Sequence, residues 1–288
     1  MDKYFQVTLP DWHSFGTDGV ALALAFVFLL VGKYVYGFFR PFGVDQQLGD
    51  KDNKAVALSL GGFVFALGLV IAPLLAHESG KDLPTDLIDL AIWVVIALVL
   101  LVVGQFVNDK VIFGRFSNSK ELAEDHNAGL GIAEAGSFIA VALILSAALS
   151  GEEGSLSADI IGALIFFVAG QIALILVFMI DRKFAGYDLL SEIEKDNPAA
   201  GLLCGAKAIA IANVLAGAIH ADDSLVFFAV WAVIGCVLLF IGQRIVDGLI
   251  FPNHQLSKEI SEDRNWGIAA VVGLVLIMMS QFIKAAFL

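Results

Sequence analysis

The chain has 288 residues, of which 59% are hydrophobic and 16% are charged, and its formal net charge is -12. Soluble domains carry about 25% charged residues, and the apolar residues here form long runs, so the composition excludes an ordinary soluble domain. The chain opens without a positively charged region, and we expect no cleavable signal peptide. Cys204 and Cys236 both lie in apolar runs, where neither a disulfide framework nor a thiolate metal site is expected.

Eight apolar runs are long enough to cross about 30 Å of hydrocarbon, because a helix rises about 1.5 Å per residue. In chain order they occupy residues 19–39, 55–76, 87–111, 128–149, 160–180, 199–220, 225–249 and 266–288. The sequence therefore predicts an all-α polytopic membrane protein with eight transmembrane helices. Three shorter acidic loops alternate with four longer charged loops, at 40–54, 113–127, 181–198 and 251–265.

Basic residues concentrate on one side of the predicted bundle. Thirteen Lys and Arg residues lie in or beside the longer loops, three lie on the opposite side, and Lys207 lies within a span. Because loops rich in Lys and Arg stay in the cytoplasm, we expect the longer loops to be cytoplasmic and both termini to lie on the outer side. The lipid bilayer is then the surrounding partner.

A short phrase recurs four times, each time where an even-numbered span begins. The copies read GDKDNKAVALSLGG from Gly49, AEDHNAGLGIAEAG from Ala123, EKDNPAAGLLCGAK from Glu194 and SEDRNWGIAAVVG from Ser261. Copies one and three share KDN and copies two and four share ED-x-N, which indicates a duplicated four-helix unit that is itself a duplicated hairpin. We predict units at 1–150 and 151–288. Since every hairpin has two spans, the units are predicted to be parallel, with a pseudo-symmetry axis along the membrane normal.

The even-numbered spans are rich in Gly, Ala and Ser, whereas the odd-numbered spans carry mostly Leu, Val, Ile and Phe. Small residues let helix backbones approach closely in lipid. We therefore expect the even-numbered helices to form the packed centre and the odd-numbered helices to face lipid. The large apolar residues of the odd-numbered helices also permit association of copies into a homo-oligomer.

The repeated phrase places acidic and amide side chains at the mouth of each even-numbered helix. These residues are Asp52, Asn53, Asp125, Asn127, Asp196, Asn197, Asp263 and Asn265. The main interpretation is helix capping, because Asn accepts from free backbone N–H groups and carboxylates are stable near the positive end of the helix dipole. Two alternatives are a ring of oxygen atoms that attracts cations and a surface that docks proteins. The spacing matches no known metal motif, and we predict no metal site.

Two charged residues interrupt the apolar pattern, Glu134 in the fourth span and Lys207 in the sixth. Charges inside a membrane are costly and are candidates for function. Helix geometry places Glu134 about 10 Å and Lys207 about 15 Å into the span, and the long Lys side chain leans back toward the helix N terminus. We therefore predict an ion pair between them, with either a structural or a functional role. Other polar residues that extend this candidate network are Gln105, Gln171, Gln243 and Asn213.

At these residues the chain resembles a bacterial inner-membrane family catalogued as Domain of Unknown Function 350. The resemblance lies in DNKAVALSLGGFVFALGLVIAPL, DHNAGLGIAEAG, DNPAAGLLCG, DRNWGIAAVVG and the preceding GQRIVDGLIFPNHQLSKEISEDRN. These stretches cover most of the chain as two tandem units. Copies one and four depart from the family phrase, at Lys54 with Ala55 and at Trp266 with Gly267. The resemblance implies a multi-pass inner-membrane protein, so that the outer side expected for both termini from the Lys and Arg distribution is the periplasm. By association, it also implies a role in envelope integrity or stress response. It implies no catalytic residues.

Three classes of function stay open at this point. The repeated charged loops favour a non-enzymatic membrane scaffold whose cytoplasmic face recruits peripheral proteins. The alternative is an ion channel or ion-coupled transporter that uses the Glu134–Lys207 pair. An intramembrane enzyme is least favoured, because the sequence has no recognised catalytic motif. We predict no cofactor and no nucleic-acid partner.

Overall fold

A computed structural model of the chain describes residues 12–76, 82–149 and 156–288, which are helical apart from short connections and contain no β-strand. In chain order the helices are α1 (Trp12–Phe38), α2 (Val44–Gly49), α3 (Lys54–Ala76), α4 (Leu83–Val107), α5 (Asn118–Ala123), α6 (Ala128–Leu149), α7 (Leu156–Phe184), α8 (Leu189–Glu194), α9 (Pro198–Ala221), α10 (Leu225–Ile250), α11 (Leu256–Ser261) and α12 (Trp266–Phe287). A π-helical turn, Asn108–Ile112, extends α4.

Eight of the described helices are long and apolar enough to cross a membrane, namely α1, α3, α4, α6, α7, α9, α10 and α12. The predicted all-α membrane fold is therefore confirmed. The boundaries differ most at α1, which begins at Trp12, and at α7, which continues to Phe184. These extra turns contain charged residues such as Asp18 and Arg182, which a criterion based on apolar runs leaves out.

Each of the four longer charged loops contains a six-residue helix that the sequence analysis missed: α2, α5, α8 and α11. The last three each bury one apolar side chain fully, at Leu122, Ile193 and Ile260. Six residues are too few for hydrophobic periodicity to identify a helix. Each repeat thus consists of an outer helix, a short helix and the helix that follows the repeated phrase. We call the last of these, α3, α6, α9 and α12, the motif helices.

The motif helices pack side by side in the order α3, α6, α9, α12 and form the centre of the molecule. Their backbones nearly touch. A Cβ atom built at Gly62 of α3 would lie 2.4 Å from Cβ of Ala135 in α6, and one built at Gly136 of α6 would lie 2.3 Å from Cα of Gly205 in α9. Only glycine fits at such distances, which explains why small residues fill these helices. The expected packed centre of small-residue helices is therefore present.

The outer helices α1, α4, α7 and α10 lie against this row and expose large apolar side chains. Examples are Phe26 and Leu30 of α1 and Val226 and Val233 of α10. The burial of the central row is uneven, because 72% of the α9 span is buried but only 33% of the α12 span. The last motif helix therefore has an open face.

Candidate functional site

In every motif helix, the backbone N–H three residues after the capping Asn donates to Oδ1 of that Asn. Asn53 Oδ1 accepts from the backbone N–H of Ala55 at 3.0 Å and of Val56 at 3.2 Å. The corresponding bonds in α6, α9 and α12 are accepted by Asn127, Asn197 and Asn265. All four Asn residues thus cap their helices, and they satisfy N–H groups that the first turn leaves free.

The amide nitrogen of each capping Asn holds the short helix that precedes it. In every repeat, Nδ2 donates to a side-chain oxygen of that helix, on Gln47, Glu121, Glu192 or Glu259. The sequence signal for this contact is a Gln or Glu six residues before the Asn, or five residues before it in the third copy.

In three repeats the same Nδ2 also reaches the next repeat. It donates to a backbone carbonyl at 2.7 Å, and the pairs are Asn53 with Leu122, Asn127 with Ile193 and Asn197 with Ile260. We call these the inter-repeat bonds. They place the four motifs at one end of the bundle, so that the four hairpins point the same way.

The Asp residues of the motif do not occupy equivalent places. Asp52 and Asp196 directly precede the capping Asn and have left-handed backbones, with φ of 47° and 53°. In the second and fourth copies this place is taken by His126 and Arg264, with φ of 53° and 50°, and the Asp lies one residue earlier. The motif therefore does not form a ring of four equivalent carboxylates. Among the described residues, no group of three His, Cys, Asp or Glu side chains is arranged to hold a metal ion.

A buried charged cluster lies in the first unit, where the end of α1 meets α3, α6 and the end of α4. Arg40 Nη2 donates to Glu134 Oε2 at 2.7 Å, and Arg40 Nη1 donates to Asp109 Oδ2 at 3.3 Å. The side chains of Arg40 and Glu134 are fully buried, and that of Asp109 is 19% exposed. Ser59 donates to Glu134 and accepts from the Tyr36 hydroxyl. The ion pair is thus extended by two hydroxyl groups.

Asn118 of α5 joins the two carboxylates of this cluster. Its Nδ2 donates to Asp109 Oδ1 at 2.9 Å and to Glu134 Oε1 at 3.1 Å. Burial of the Arg40 guanidinium lowers its pKa, but the neighbouring Glu134, Tyr36 and Asp109 outweigh burial and hold that pKa above its ordinary value. Arg40 therefore stays charged. With one cation and two carboxyl groups, the cluster is negative when both carboxyls are ionised, and a bound proton or cation neutralises it.

The expected ion pair between Glu134 and Lys207 is wrong. Glu134 pairs with Arg40, and Lys207 Nζ lies 2.5 Å from Oδ1 of Asp181 near the end of α7. The Lys207 and Asp181 side chains are 13% and 18% exposed, so this second pair is less buried than the first. Depth along a helix predicts the level of a charge in the membrane. It does not predict the neighbour toward which that charge points.

A cavity of about 30 Å³ lies between the two units and is lined in part by Ser137, Asp181 and Lys207. That volume accommodates about one or two water molecules. Ser137 Oγ also donates to Asn108 Oδ1 at 2.7 Å, so polar groups extend from the cavity toward the first charged cluster. Buried polar atoms that have no partner within the described ranges are Arg40 Nε, Gln105 Oε1, Asn108 Nδ2, Asn118 Oδ1 and Asp247 Oδ1.

The sequence has two family matches. Residues 11–149 and again residues 155–287 match the family described as Domain of Unknown Function (DUF350). The chain belongs to the DUF350 family. The two matches fit a two-unit repeat, and the resemblance seen in the sequence is confirmed. The predicted boundary between residues 150 and 151 lies outside the described residues.

Two relatives of this DUF350 chain carry the name UPF0719 transmembrane protein. The relative from Aquifex aeolicus (strain VF5) is 26% identical over 273 residues, which cover 92% of this chain and 96% of the relative. UPF0719 transmembrane protein YshE from Bacillus subtilis (strain 168) is 27% identical over 121 residues, which cover 42% of this chain and 88% of the relative. The second relative therefore corresponds to a single unit. Neither name denotes an enzyme, and no solved structure matches the chain.

The other polar candidates of this DUF350 chain lie apart from the charged cluster. Asn213 Nδ2 donates to Ser280 Oγ of α12 at 3.0 Å. Gln105 and Gln171 are buried in α4 and α7, and Gln243 is half-buried in α10. Within the described ranges, hydrogen bonds to Glu134 come from Arg40, Ser59 and Asn118, and none comes from these residues.

Several members of the two charged groups were not predicted as site residues from the sequence: Arg40, Ser59, Asp109, Asn118 and Asp181. Arg40 is the first residue of a predicted loop, and it lies 94 positions before its partner Glu134. Asp181, the first residue of the predicted loop 181–198, lies in the last turn of α7. Arg40 and Asp181 have one sequence signal, their position at an end of an apolar run, and ordinary interfacial charges share that signal.

Proposed function

We propose that this protein is a non-enzymatic scaffold of the bacterial inner membrane, with a rigid cytoplasmic face that docks peripheral proteins. The inter-repeat bonds carry this proposal. They hold the short helices and the motif loops of successive repeats in fixed relative positions. A preordered surface loses little conformational entropy when a partner binds. The family resemblance favours a cellular role in envelope integrity or stress response.

The proposed docking face, formed by the motif loops and the short helices, carries exposed charges of both signs. Lys51, Glu124, Lys258 and Glu262 are examples, one or two from each of three repeats. Charge patterns of this kind select a partner and accelerate its association. The proposed orientation, with this face in the cytoplasm, follows from the excess of Lys and Arg on the same side.

The close packing of the motif helices favours a scaffold over an open channel. Backbone contacts such as Gly62 with Ala135 and Gly136 with Gly205 leave no space between α3, α6 and α9. The cavity beside Lys207 has room for only about one or two water molecules. An open pore needs a continuous wet path, and these contacts close the centre of the row.

Photo-cross-linking in living cells tests the docking face. A photoreactive amino acid at Glu124 or Glu262 is expected to capture a discrete cytoplasmic protein, whereas the same amino acid at lipid-facing Phe26 or Val233 is not. With the photoreactive amino acid at Glu124, charge reversal at Lys51, Lys258 and Glu262 is expected to remove the cross-link without changing the unfolding temperature. The proposal is wrong if both faces give the same products, or if charge reversal leaves the cross-link intact.

A second candidate function is proton- or cation-coupled transport through the Arg40–Glu134–Asp109 cluster. The observation that favours it is the surplus of one carboxyl group over the single buried guanidinium. Proton or cation flux into proteoliposomes is expected to be lost in Glu134→Gln and in Asp109→Asn. The exposed variant Lys258→Gln is the control and is expected to keep that flux. Absence of flux from folded wild-type protein would exclude this function and leave the scaffold standing.

A further inference from the structure

We propose that copies of this chain join head to tail in the membrane, with the open face of α12 in one copy packed against the open face of α3 in the next. Three equivalent contacts exist inside one chain, between α3 and α6, α6 and α9, and α9 and α12. The proposed contact is the fourth member of this series. It does not depend on the function proposed above.

The three internal contacts use the same positions, counted from the capping Asn. The forward face, which meets the following motif helix, has its small residues two and nine positions after the Asn. The backward face, which meets the preceding motif helix, has them four and eight positions after. The forward pairs are Ala55 with Gly62, Gly129 with Gly136, and Ala199 with Ala206, and the backward pairs are Gly131 with Ala135, Gly201 with Gly205, and Ala269 with Gly273.

Distances across these faces show that two of the contacts join backbone to backbone and that the third joins backbone to a Cβ atom. A Cβ atom built at Gly131 would lie 2.4 Å from the carbonyl oxygen of Ala55, and one built at Gly201 would lie 1.9 Å from that of Gly129. In the last contact, a Cβ atom at Gly273 would lie 2.7 Å from Cβ of Ala206. The forward and backward faces are thus complementary surfaces that this chain uses three times.

One backward face and one forward face are left uncovered at the two ends of the row. On α3 the backward positions are Ala57 and Gly61, both exposed, and a Cβ atom at Gly61 would meet nothing within 4 Å. On α12 the forward positions are Gly267 and Leu274, and Leu274 is 65% exposed. In the proposed contact, Leu274 of one copy lies opposite Gly61 of the next copy. The one large residue at these positions therefore meets a residue without a side chain.

The polar end of the same interface is also incomplete. Asn53, Asn127 and Asn197 are 1%, 0% and 0% exposed and each makes an inter-repeat bond. Asn265 is only half-buried, and its Nδ2 donates to Glu259 but to no carbonyl of another repeat in the described part of the chain. The inter-repeat bonds are accepted by the carbonyl oxygens of Leu122, Ile193 and Ile260. Leu48 of α2 is the equivalent residue in the first repeat.

These observations favour a second copy over lipid as the occupant of both faces. At the two ends of the row, on α3 and on α12, both the contact between motif helices and the inter-repeat bond are missing. The chain itself carries the two complementary faces, one at each end. A head-to-tail contact is heterologous, so it gives a closed ring where the rotation closes and an open filament where it does not. It excludes a two-fold dimer in which α3 meets α3.

Disulfide trapping in native membranes tests the proposed contact. Cys204 and Cys236 are first replaced by Ala, and Gly61→Cys and Leu274→Cys are then introduced into copies with different tags. We expect disulfides between differently tagged copies, and a ladder of covalent multimers when both cysteines are in one chain. Gly61→Cys copies alone are not expected to cross-link. Phe26→Cys mixed with Val233→Cys serves as the lipid-facing control.

A steric block separates assembly from folding. Gly61→Leu adds a side chain where the folded chain has open space, so we expect an unchanged unfolding temperature together with loss of the multimers. Gly62→Leu, one residue further on, is expected to disrupt the chain itself, because Ala135 occupies that space. The proposal is overturned if wild-type protein in lipid nanodiscs is monomeric, if Gly61→Cys cross-links to itself, or if Gly61→Leu leaves the multimers unchanged.

Discussion

The guanidinium of Arg40 donates to the carboxylate of Glu134 at 2.7 Å, although 94 positions separate the two residues and both side chains are fully buried. The bond joins the end of the first outer helix to the second motif helix. It therefore links the first two hairpins of the chain at the end where the repeated motifs lie. In the second unit the position of Glu134 is taken by Cys204 in the third repeat and by Val272 in the fourth, so neither repeat has a carboxylate at that position.

Loss of one partner of this pair is expected to be costly. Arg40→Leu leaves Glu134 as a buried carboxylate without its cation, and we expect a loss of about 3–5 kcal/mol in the free energy of unfolding. The double variant Arg40→Leu with Glu134→Leu is expected to be more stable than Arg40→Leu alone. Denaturant unfolding in detergent, read as a double-mutant cycle, measures the coupling. Additive losses would show that the pair contributes no specific interaction.

Substitution of a motif Asn is expected to destabilise the chain more where that Asn makes an inter-repeat bond. Asn127→Ala removes a helix cap, worth about 0.5–2 kcal/mol, and also leaves Glu121 and the Ile193 carbonyl without their amide donor. Asn265→Ala removes a cap but no inter-repeat bond within the chain, so a smaller loss is expected. Both losses are measured by thermal unfolding in the Gly61→Leu background, where association between copies is blocked. Equal losses would show that the inter-repeat bonds do not stabilise the chain.

The acceptor on the short helix is expected to tolerate an amide. Gln47 fills this place in the first repeat, so Glu121→Gln preserves the hydrogen bond from Asn127, whereas Glu121→Leu abolishes it. We therefore expect Glu121→Gln to unfold at or above the wild-type temperature and Glu121→Leu to unfold below it. A Gln variant as unstable as the Leu variant would contradict this interpretation.

The difference in stability between Glu121→Gln and the wild type is expected to depend on pH. Burial raises the pKa of Glu121, and the hydrogen bond from Asn127 opposes that rise only in part. A carboxyl whose pKa is raised by folding contributes its stability below the unfolded pKa, and loses it as pH rises through the folded pKa. The advantage of Glu121→Gln over the wild type is therefore expected to be larger near pH 7 than near about pH 4. Unfolding temperatures across that range test the expectation.

Glycine substitutions are expected to change the free energy of unfolding differently in the packed row of motif helices and in the outer helices. Gly201→Ala places a Cβ atom 1.9 Å from the carbonyl oxygen of Gly129, so we expect a loss of about 1–3 kcal/mol or more. Gly162→Ala in α7 meets nothing within 4 Å and is expected to be neutral or to gain about 0.5–1 kcal/mol from higher helix propensity. Denaturant unfolding compares the two variants, and similar effects would argue against close backbone packing of α6 with α9.

Within the candidate site, the sequence identified the residues whose environment is unusual and missed most of their partners. Glu134 and Lys207 stand out because a charge in an apolar run is rare. Arg40 and Asp181 do not stand out, because charges at the ends of transmembrane helices are common. The short helices were missed for a related reason, since six residues in a charged loop carry too little pattern. Gln47, Glu121, Glu192 and Glu259 are recognised as equivalent acceptors only from the structure of those helices.

The membrane fold, its eight spans, the four repeats and the small-residue centre were predictable from the sequence alone. These features follow from hydrophobicity and residue size along each segment, and such properties are local. Three features required the tertiary structure: Glu134 binds Arg40, Lys207 binds Asp181, and the row of motif helices ends in two uncovered faces. The reason is that a partner depends on the rotation of each helix about its axis and on the lateral order of the helices. Close backbone contacts between glycines on different helices set both, and a single helix does not encode them.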